Sequence, residues 1–90
     1  MTVANIEALI DERREQYLEQ LFTFLRQKSI SAQNIGMKEA SELLKGMMEE
    51  VGIKTQLIPT AGHPVVYGEI INDPNKFTIL FYGHYDVQPP

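Results

Sequence analysis

The sequence predicts an α/β domain in which two helices are followed by three strands. The first half of the chain carries apolar residues at helical spacing, and the second half carries alternating or continuous apolar runs. The last run, residues 77–82, is almost entirely apolar, which is typical of an interior strand covered on both faces. Two helices and such a strand need a layered arrangement, but two helices cannot cover both faces of a large sheet. We therefore expect these residues to form the opening of a larger domain.

Composition excludes several classes of protein. The chain has 90 residues, of which 43% are hydrophobic and 22% charged, as in a globular protein with a modest core. Its net charge of -4 argues against a nucleic-acid partner, which would need clustered Lys and Arg. The absence of cysteine excludes disulfides and thiolate zinc sites. No apolar run approaches the roughly 20 residues of a membrane span, and residues 1–5 lack the features of a signal peptide, so we expect no membrane partner and a cytoplasmic location.

The first predicted helix begins near Thr2, which can cap it, and ends near Ser29. Its apolar stripe keeps a spacing near 3.6 residues and consists of Ile6, Leu9, Ile10, Tyr17, Leu21 and Leu25. Residues 29–34, which are rich in Ser, Ala, Gln and Asn, predict a loop.

The second predicted helix covers residues 37–51. Its stripe at i, i+3, i+4 and i+7 consists of Ala40, Leu43, Leu44, Met47, Met48 and Val51. Gly52 suits the left-handed position just after the helix, and Ile53 can pack back on the last turn. Gly46 costs about 1 kcal/mol relative to Ala inside a helix, so we expect it to permit a close approach between helix and sheet.

Three strands are predicted after the helices. Residues 53–58 alternate apolar and polar side chains, as a half-buried strand does. A turn over residues 59–64 leads to a second strand over residues 65–71, in which Gly68 indicates a bulge. Residues 72–76 combine Asn, Asp and Pro, which strongly indicate another turn before the third strand.

His84 and Asp86 follow the third strand, where α/β sheets bind their ligands. Residues two apart in an extended backbone point to the same side. A metal-binding histidine usually donates its other ring N–H to a carboxylate, so the pair is a candidate metal ligand with its orienting carboxylate. The spacing alone also fits a strand cap or a surface pair. By contrast, His63 lies in a Gly-His-Pro turn and is predicted to be a solvated loop residue.

Residues 81–90, Phe-Tyr-Gly-His-Tyr-Asp-Val-Gln-Pro-Pro, resemble the first metal-site motif of the di-zinc metallopeptidase family of dipeptidases, carnosinases, aminoacylases and acyl-amino-acid deacylases. The form of the motif is closest to the dipeptidase and carnosinase branch. The long first helix, the loop Ser29-Ile30-Ser31 and the helix that runs into Val51-Gly52-Ile53 also resemble that family. The resemblance implies the N-terminal part of a three-layer α/β/α catalytic domain. The rest of that domain and a smaller dimerisation domain are expected outside residues 1–90.

The resemblance also implies roles for two residues. His84 corresponds to a zinc ligand, and Asp86 to the active-site carboxylate that orients its imidazole. The other ligands and a glutamate general base are expected beyond residue 90. The implied activity is zinc-dependent hydrolysis of dipeptides or similar small peptides by a longer protein that contains this chain, which we call the parent protein. The parent protein is expected to be a homodimer with two Zn²⁺ per site, for which Mn²⁺ or Co²⁺ are alternatives.

Two further expectations concern the ninety residues alone, and two alternative functions stay open. The chain by itself is expected to be inactive and to self-associate through exposed strand edges. The first alternative is an N-acyl amino-acid deacylase of the same family. The second is a small non-catalytic α/β interaction domain, in which His84 and Asp86 are surface polar residues.

Overall fold

The computed structural model describes residues 2–90 and confirms the α/β class. Within that range the elements are helix α1 (Val3–Glu12), helix α2 (Arg14–Arg26), a short 3-10 helix (Ser31–Gln33), helix α3 (Met37–Glu50), and strands β1 (Lys54–Ile58) and β2 (Val65–Glu69). None of these helices is both long and apolar enough to cross a membrane.

The first predicted helix is two helices, α1 and α2, which meet at Arg13. Thr2 caps α1 as predicted, because its side-chain oxygen accepts a hydrogen bond from the Asn5 N–H at 3.2 Å. Arg13 leaves the helical conformation with φ -103° and ψ 11°. Its N–H still donates to the Leu9 carbonyl at 3.0 Å, and its carbonyl accepts from the Tyr17 N–H at 2.9 Å. Neither Gly nor Pro lies near Arg13, so nothing in the local sequence explains this break.

Helix α3 packs against both strands and contains most of the core. Met37, Ala40 and Ser41 are its buried residues. The helix ends as predicted: Gly52 is left-handed, with φ 88°, and its N–H donates to the Glu49 carbonyl at 3.0 Å. The Ile53 N–H donates to the Met48 carbonyl at the same distance. This pair of bonds is a Schellman motif, which redirects the chain into β1.

Gly68, rather than Gly46, permits the close approach between helix and sheet. Strands β1 and β2 pair antiparallel in an uninterrupted register that includes Thr55 opposite Gly68, so the predicted bulge is wrong. A Cβ at Gly68 would lie 2.5 Å from Met48 Cε and 2.6 Å from Ile53 Cγ2, whereas a Cβ at Gly46 would meet nothing within 4 Å. The glycine is needed for space, because the end of α3 and Ile53, just before β1, cover its face of the hairpin.

The third predicted strand does not form. The only sheet within residues 2–90 is the β1–β2 hairpin, and residues 77–82 pair with neither strand. The preceding turn forms as predicted, because the Lys76 N–H donates to the Asp73 carbonyl at 3.1 Å. The five large apolar side chains of the run are each at least 76% exposed. The prediction of a buried interior strand was wrong for these residues, since a strand needs a paired neighbour and no described segment pairs with this run.

Candidate functional site

The base of the candidate site is a tight loop between α2 and α3. Ile30 and Ile35 form a two-way backbone bridge, with N–H to carbonyl distances of 2.9 and 3.1 Å. The chain turns inside this bridge through a left-handed Asn34, with φ 52°, and leaves it through Gly36, with φ 71°. A Cβ at Gly36 would overlap the Lys28 carbonyl group. The loop is therefore held from several sides, and only glycine fits at its exit.

The segment that carries His84 and Asp86 lies along this loop. The Val87 N–H donates to the Ser29 carbonyl at 2.8 Å, and Ile30 and Val87 form a parallel bridge. Tyr85 lies on the other side, where its hydroxyl donates to the Pro64 carbonyl at 2.6 Å. These contacts bring residues 84–87 against two parts of the fold that are distant in sequence.

The structure brings His84 and Asp86 together. Nδ1 of His84 lies 3.0 Å from the Oδ1 carboxylate oxygen of Asp86 and 3.0 Å from its backbone carbonyl oxygen. A carbonyl and an ionised carboxylate only accept hydrogen bonds, so Nδ1 carries the proton. In the neutral ring the lone pair is then on Nε2. The side chain of His84 is 76% exposed, so this ring is accessible.

The carboxylate of Asp86 is also bound from the loop. The Ser31 hydroxyl donates to Oδ2 at 2.6 Å. This hydrogen bond is the main reason why the pKa of Asp86 lies below its ordinary value; the backbone N–H of Asp86 and His84 lower it further, and partial burial opposes the shift. Asp86 is therefore ionised at neutral pH, as the donor role of Nδ1 requires.

His63 lies in the site and is not a solvated loop residue, so that prediction was wrong. The residue is half-buried, and its Nε2 lies 3.0 Å from the Ser31 carbonyl oxygen. Because a carbonyl only accepts, Nε2 of His63 is the donor. The turn before β2 folds back on the loop at residues 29–34, which explains the burial.

A cavity of about 710 Å³ adjoins these residues. Ser31, His63, His84 and Asp86 contribute to its polar lining, and most of the remaining wall is apolar, including Phe24, Met37, Leu44, Val66 and Phe81. An apolar cleft with a few polar groups at one place is the usual form of a small-molecule site.

Sequence reasoning predicted His84 and Asp86 but missed Ser31, His63 and Tyr85. Ser31 had a signal, since it belongs to the Ser-Ile-Ser loop on which the family resemblance partly depends. His63 and Tyr85 had none, because their partners are backbone carbonyls 32 and 21 residues away.

The donor set fits a single metal ligand. An exposed imidazole whose Nδ1–H donates to a carboxylate is the usual arrangement of a metal-binding histidine. Within residues 2–90 no three His, Asp or Glu side chains come together as a complete metal site. His84 therefore fits as one ligand, and further ligands would come from other polypeptide.

Curated metallodipeptidases are similar to the chain in sequence. A Cys-Gly metallodipeptidase of Schizosaccharomyces pombe is 26% identical over 102 aligned residues, which cover 99% of the chain and 21% of that protein. A Beta-Ala-His dipeptidase of Rattus norvegicus is 34% identical over 71 residues, covering 79% of the chain and 13% of the relative. A Cys-Gly metallodipeptidase of Candida albicans is 65% identical over 26 residues, covering 29% of the chain and 5% of the relative.

The chain thus spans about a fifth or less of the length of these relatives. No family model and no solved structure matches it. These similarities confirm that the chain resembles the dipeptidase branch of the metallopeptidase family.

Proposed function

We propose that the chain supplies one zinc ligand, His84, and its orienting carboxylate, Asp86, to a metallodipeptidase. The observation that carries this proposal is the hydrogen bond from Nδ1 of His84 to Asp86 at 3.0 Å. It fixes the proton on one nitrogen and leaves the other with a lone pair. The similarity to metallodipeptidases supports a metal, rather than a solvent molecule alone, as the partner of Nε2.

The two residues have separate tasks in this proposal. Nε2 of His84 binds the ion, and Asp86 holds the proton of the ring on Nδ1 and fixes the orientation of the ring. A bound zinc would lower the pKa of a coordinated water and polarise the substrate carbonyl. The general base and the other ligands lie outside residues 1–90 in this proposal.

The similarity to metallodipeptidases supports a small-peptide substrate, and the assembly is what the family resemblance of residues 81–90 implies. We propose that the parent protein hydrolyses the amide bond of dipeptides or similar small peptides, with two Zn²⁺ per site, as a homodimer whose catalytic domain includes this chain. The chain alone is then inactive, and an assay of the purified chain with Zn²⁺ against a dipeptide panel should give no turnover above the metal blank. A cytoplasmic location stays a prediction from the sequence.

The test compares three variants in the parent protein. His84→Ala should remove metal from one of the two sites and abolish activity, because it removes a ligand. Asp86→Asn should keep more metal but lose about 10–100-fold in affinity or activity, as changes to a ligand's hydrogen-bond partner do. Glu7→Ala, at an exposed acidic residue of α1 outside the site, should keep the full metal content.

Metal analysis after gel filtration and kcat/KM for a dipeptide are the two measurements. Full zinc occupancy with normal turnover in His84→Ala would refute the assignment. Loss of metal in Glu7→Ala to the same extent would show that the measurement reports folding instead of ligation.

A further inference from the structure

We propose that Ser31 is a positioning residue, which holds the carboxylate of Asp86 in the rotamer that faces His84. The inference rests on the proposed role of His84 as a metal ligand. The two oxygens of Asp86 are bound by different side chains: Ser31 donates to Oδ2 at 2.6 Å and His84 donates to Oδ1 at 3.0 Å. The hydroxyl thus turns one oxygen toward the loop and leaves the other for the imidazole.

The hydroxyl of Ser31 stands on a fixed part of the backbone. The Ser31 carbonyl accepts from the Asn34 N–H at 3.1 Å and from Nε2 of His63 at 3.0 Å. Ile30, the preceding residue, is bound in the bridge to Ile35. A donor attached to such a loop restricts its acceptor more than a donor on a free side chain would.

The carboxylate needs this restriction because its other partner, His84, is an exposed side chain. His84 is 76% exposed, and the Asp86 side chain is 39% exposed. A hydrogen bond between two exposed side chains fixes neither of them well, since each must lose rotamer freedom to form it. The Ser31 bond is short, as charge-assisted O–H···O⁻ bonds are, and it comes from a residue 55 positions away.

The Ser31 hydroxyl is not required to dock the segment. The Val87 N–H already donates to the Ser29 carbonyl at 2.8 Å, and Tyr85 already donates to Pro64 at 2.6 Å. These bonds hold residues 84–87 in place through the backbone and through another side chain. The role left for the Ser31 hydroxyl is to fix the side-chain rotamer of Asp86.

The backbone carbonyl oxygen of Asp86 gives His84 a second hydrogen-bond acceptor, so loss of the Ser31 hydroxyl should have a limited effect on His84. Nδ1 of His84 also lies 3.0 Å from that carbonyl, which can keep the proton on Nδ1 without the carboxylate. We therefore expect the rotamer of Asp86 to change first, and the tautomer of His84 to change less.

The experiment measures the Asp86 rotamer by NMR in the ninety-residue chain, at a concentration at which light scattering shows a monomer. Three-bond couplings from the Asp86 carboxyl carbon to its backbone nitrogen and carbonyl carbon report the rotation about Cα–Cβ. The unsubstituted ninety-residue chain should show the couplings of a single staggered rotamer about Cα–Cβ. Ser31→Ala should move both couplings toward rotamer-averaged values, and Ser31→Thr, which keeps a hydroxyl, should restore them. Ser31→Val has the shape of the Thr variant without the hydroxyl and should behave as Ser31→Ala does.

A matched control separates positioning from stability. The hydroxyl of the buried Ser41 donates to the Lys38 carbonyl at 2.8 Å, so Ser41→Ala loses a serine hydrogen bond without touching the site and should leave the Asp86 couplings unchanged. Unchanged couplings in Ser31→Ala would overturn the proposal. Loss of the fold in both hydroxyl-free variants, with Ser41→Ala still folded, would also overturn it, because the hydroxyl would then support the loop.

The couplings are read without metal, so they do not depend on whether His84 binds zinc. A rotamer change in Ser31→Ala together with full metal occupancy in His84→Ala would support the positioning role and contradict the proposed function. The two inferences can therefore fail separately.

Discussion

At the scale of single residues, the tautomer of His84 is decided by one neighbouring side chain and its backbone. Both oxygens within 3.0 Å of Nδ1 belong to Asp86, and neither can donate a hydrogen bond. Nδ1 therefore carries the proton, and the neutral ring offers Nε2. Because Ser31 donates to Asp86 and His63 donates to the Ser31 carbonyl, the chemistry of an exposed histidine depends on residues beyond its own hydrogen-bond partner.

The carboxylate of Glu69, like that of Asp86, acts on a side chain two positions away, which here is Tyr67. These residues lie on the same face of β2, since alternate side chains of a strand point to one side. The Tyr67 hydroxyl donates to Oε2 of Glu69 at 3.2 Å. This hydrogen bond, followed by the negative charge of Glu69 and slight burial, raises the pKa of Tyr67 above its ordinary value of 10.0.

This raised pKa predicts a measurable change in Glu69→Gln. The fold favours the protonated phenol, so the contribution to stability is present below pH 10.0 and is lost as the pH rises through the raised pKa. Glu69→Gln removes the charge and should lower the pKa of Tyr67 toward its ordinary value. The ultraviolet absorbance of tyrosinate measures it, and Tyr67→Phe identifies which transition belongs to Tyr67. An unchanged transition in Glu69→Gln would contradict this explanation.

At the scale of elements, two glycines that look alike in the sequence have opposite environments. Gly68 lies in β2 beneath Met48 and Ile53, while Gly46 lies in α3 with open space beside it. A side chain added at Gly68 must displace Ile53 Cγ2, which belongs to a stiff β-branched side chain. A side chain added at Gly46 only removes the excess freedom of glycine in the unfolded chain.

Alanine at the two positions should therefore change stability in opposite directions. Gly68→Ala should lower the free energy of unfolding by about 1–3 kcal/mol, as overpacking usually does. Gly46→Ala, the matched control, should raise it by about 0.5–1 kcal/mol, as expected for an exposed position inside a helix. Urea unfolding followed by circular dichroism measures both. Equal and small effects at the two sites would show that α3 does not pack on the hairpin as described.

Elements whose causes are local could be predicted from the sequence. Gly52 gave the end of α3, and the alternation at residues 53–58 gave β1. The break at Arg13 has no local cause, and the fate of residues 77–82 depends on a pairing partner rather than on their own composition. The same distinction holds for the site. The pair of His84 and Asp86 could be predicted from its spacing in the sequence, but the contacts of Ser31 and His63 span 55 and 32 residues.

At the scale of the whole molecule, most of the apolar side chains lie outside the core. Met37 and Ala40 are the buried hydrophobic residues of the part described. The molecule is flat, with extents of 45 × 35 × 18 Å and a radius of gyration of 15.6 Å, whereas a compact domain of this length has about 12 Å. A molecule so thin cannot cover both faces of its hairpin and also shelter residues 77–82.

We expect these exposed residues to make the chain self-associate. The run at residues 77–82 has unpaired backbone groups and strongly exposed apolar side chains, including Leu80 at 87% and Phe81 at 88%, and such a segment readily pairs with another chain. Leu80→Lys should shift the chain toward monomer, because charges on an edge oppose pairing. Val3→Lys replaces a comparably exposed residue of α1, at 72%, and should leave the association unchanged. Size-exclusion chromatography with light scattering at several concentrations measures the outcome. A monomer at high concentration with slow amide exchange across residues 77–82 would contradict the expectation, since the run would then be protected within a single chain.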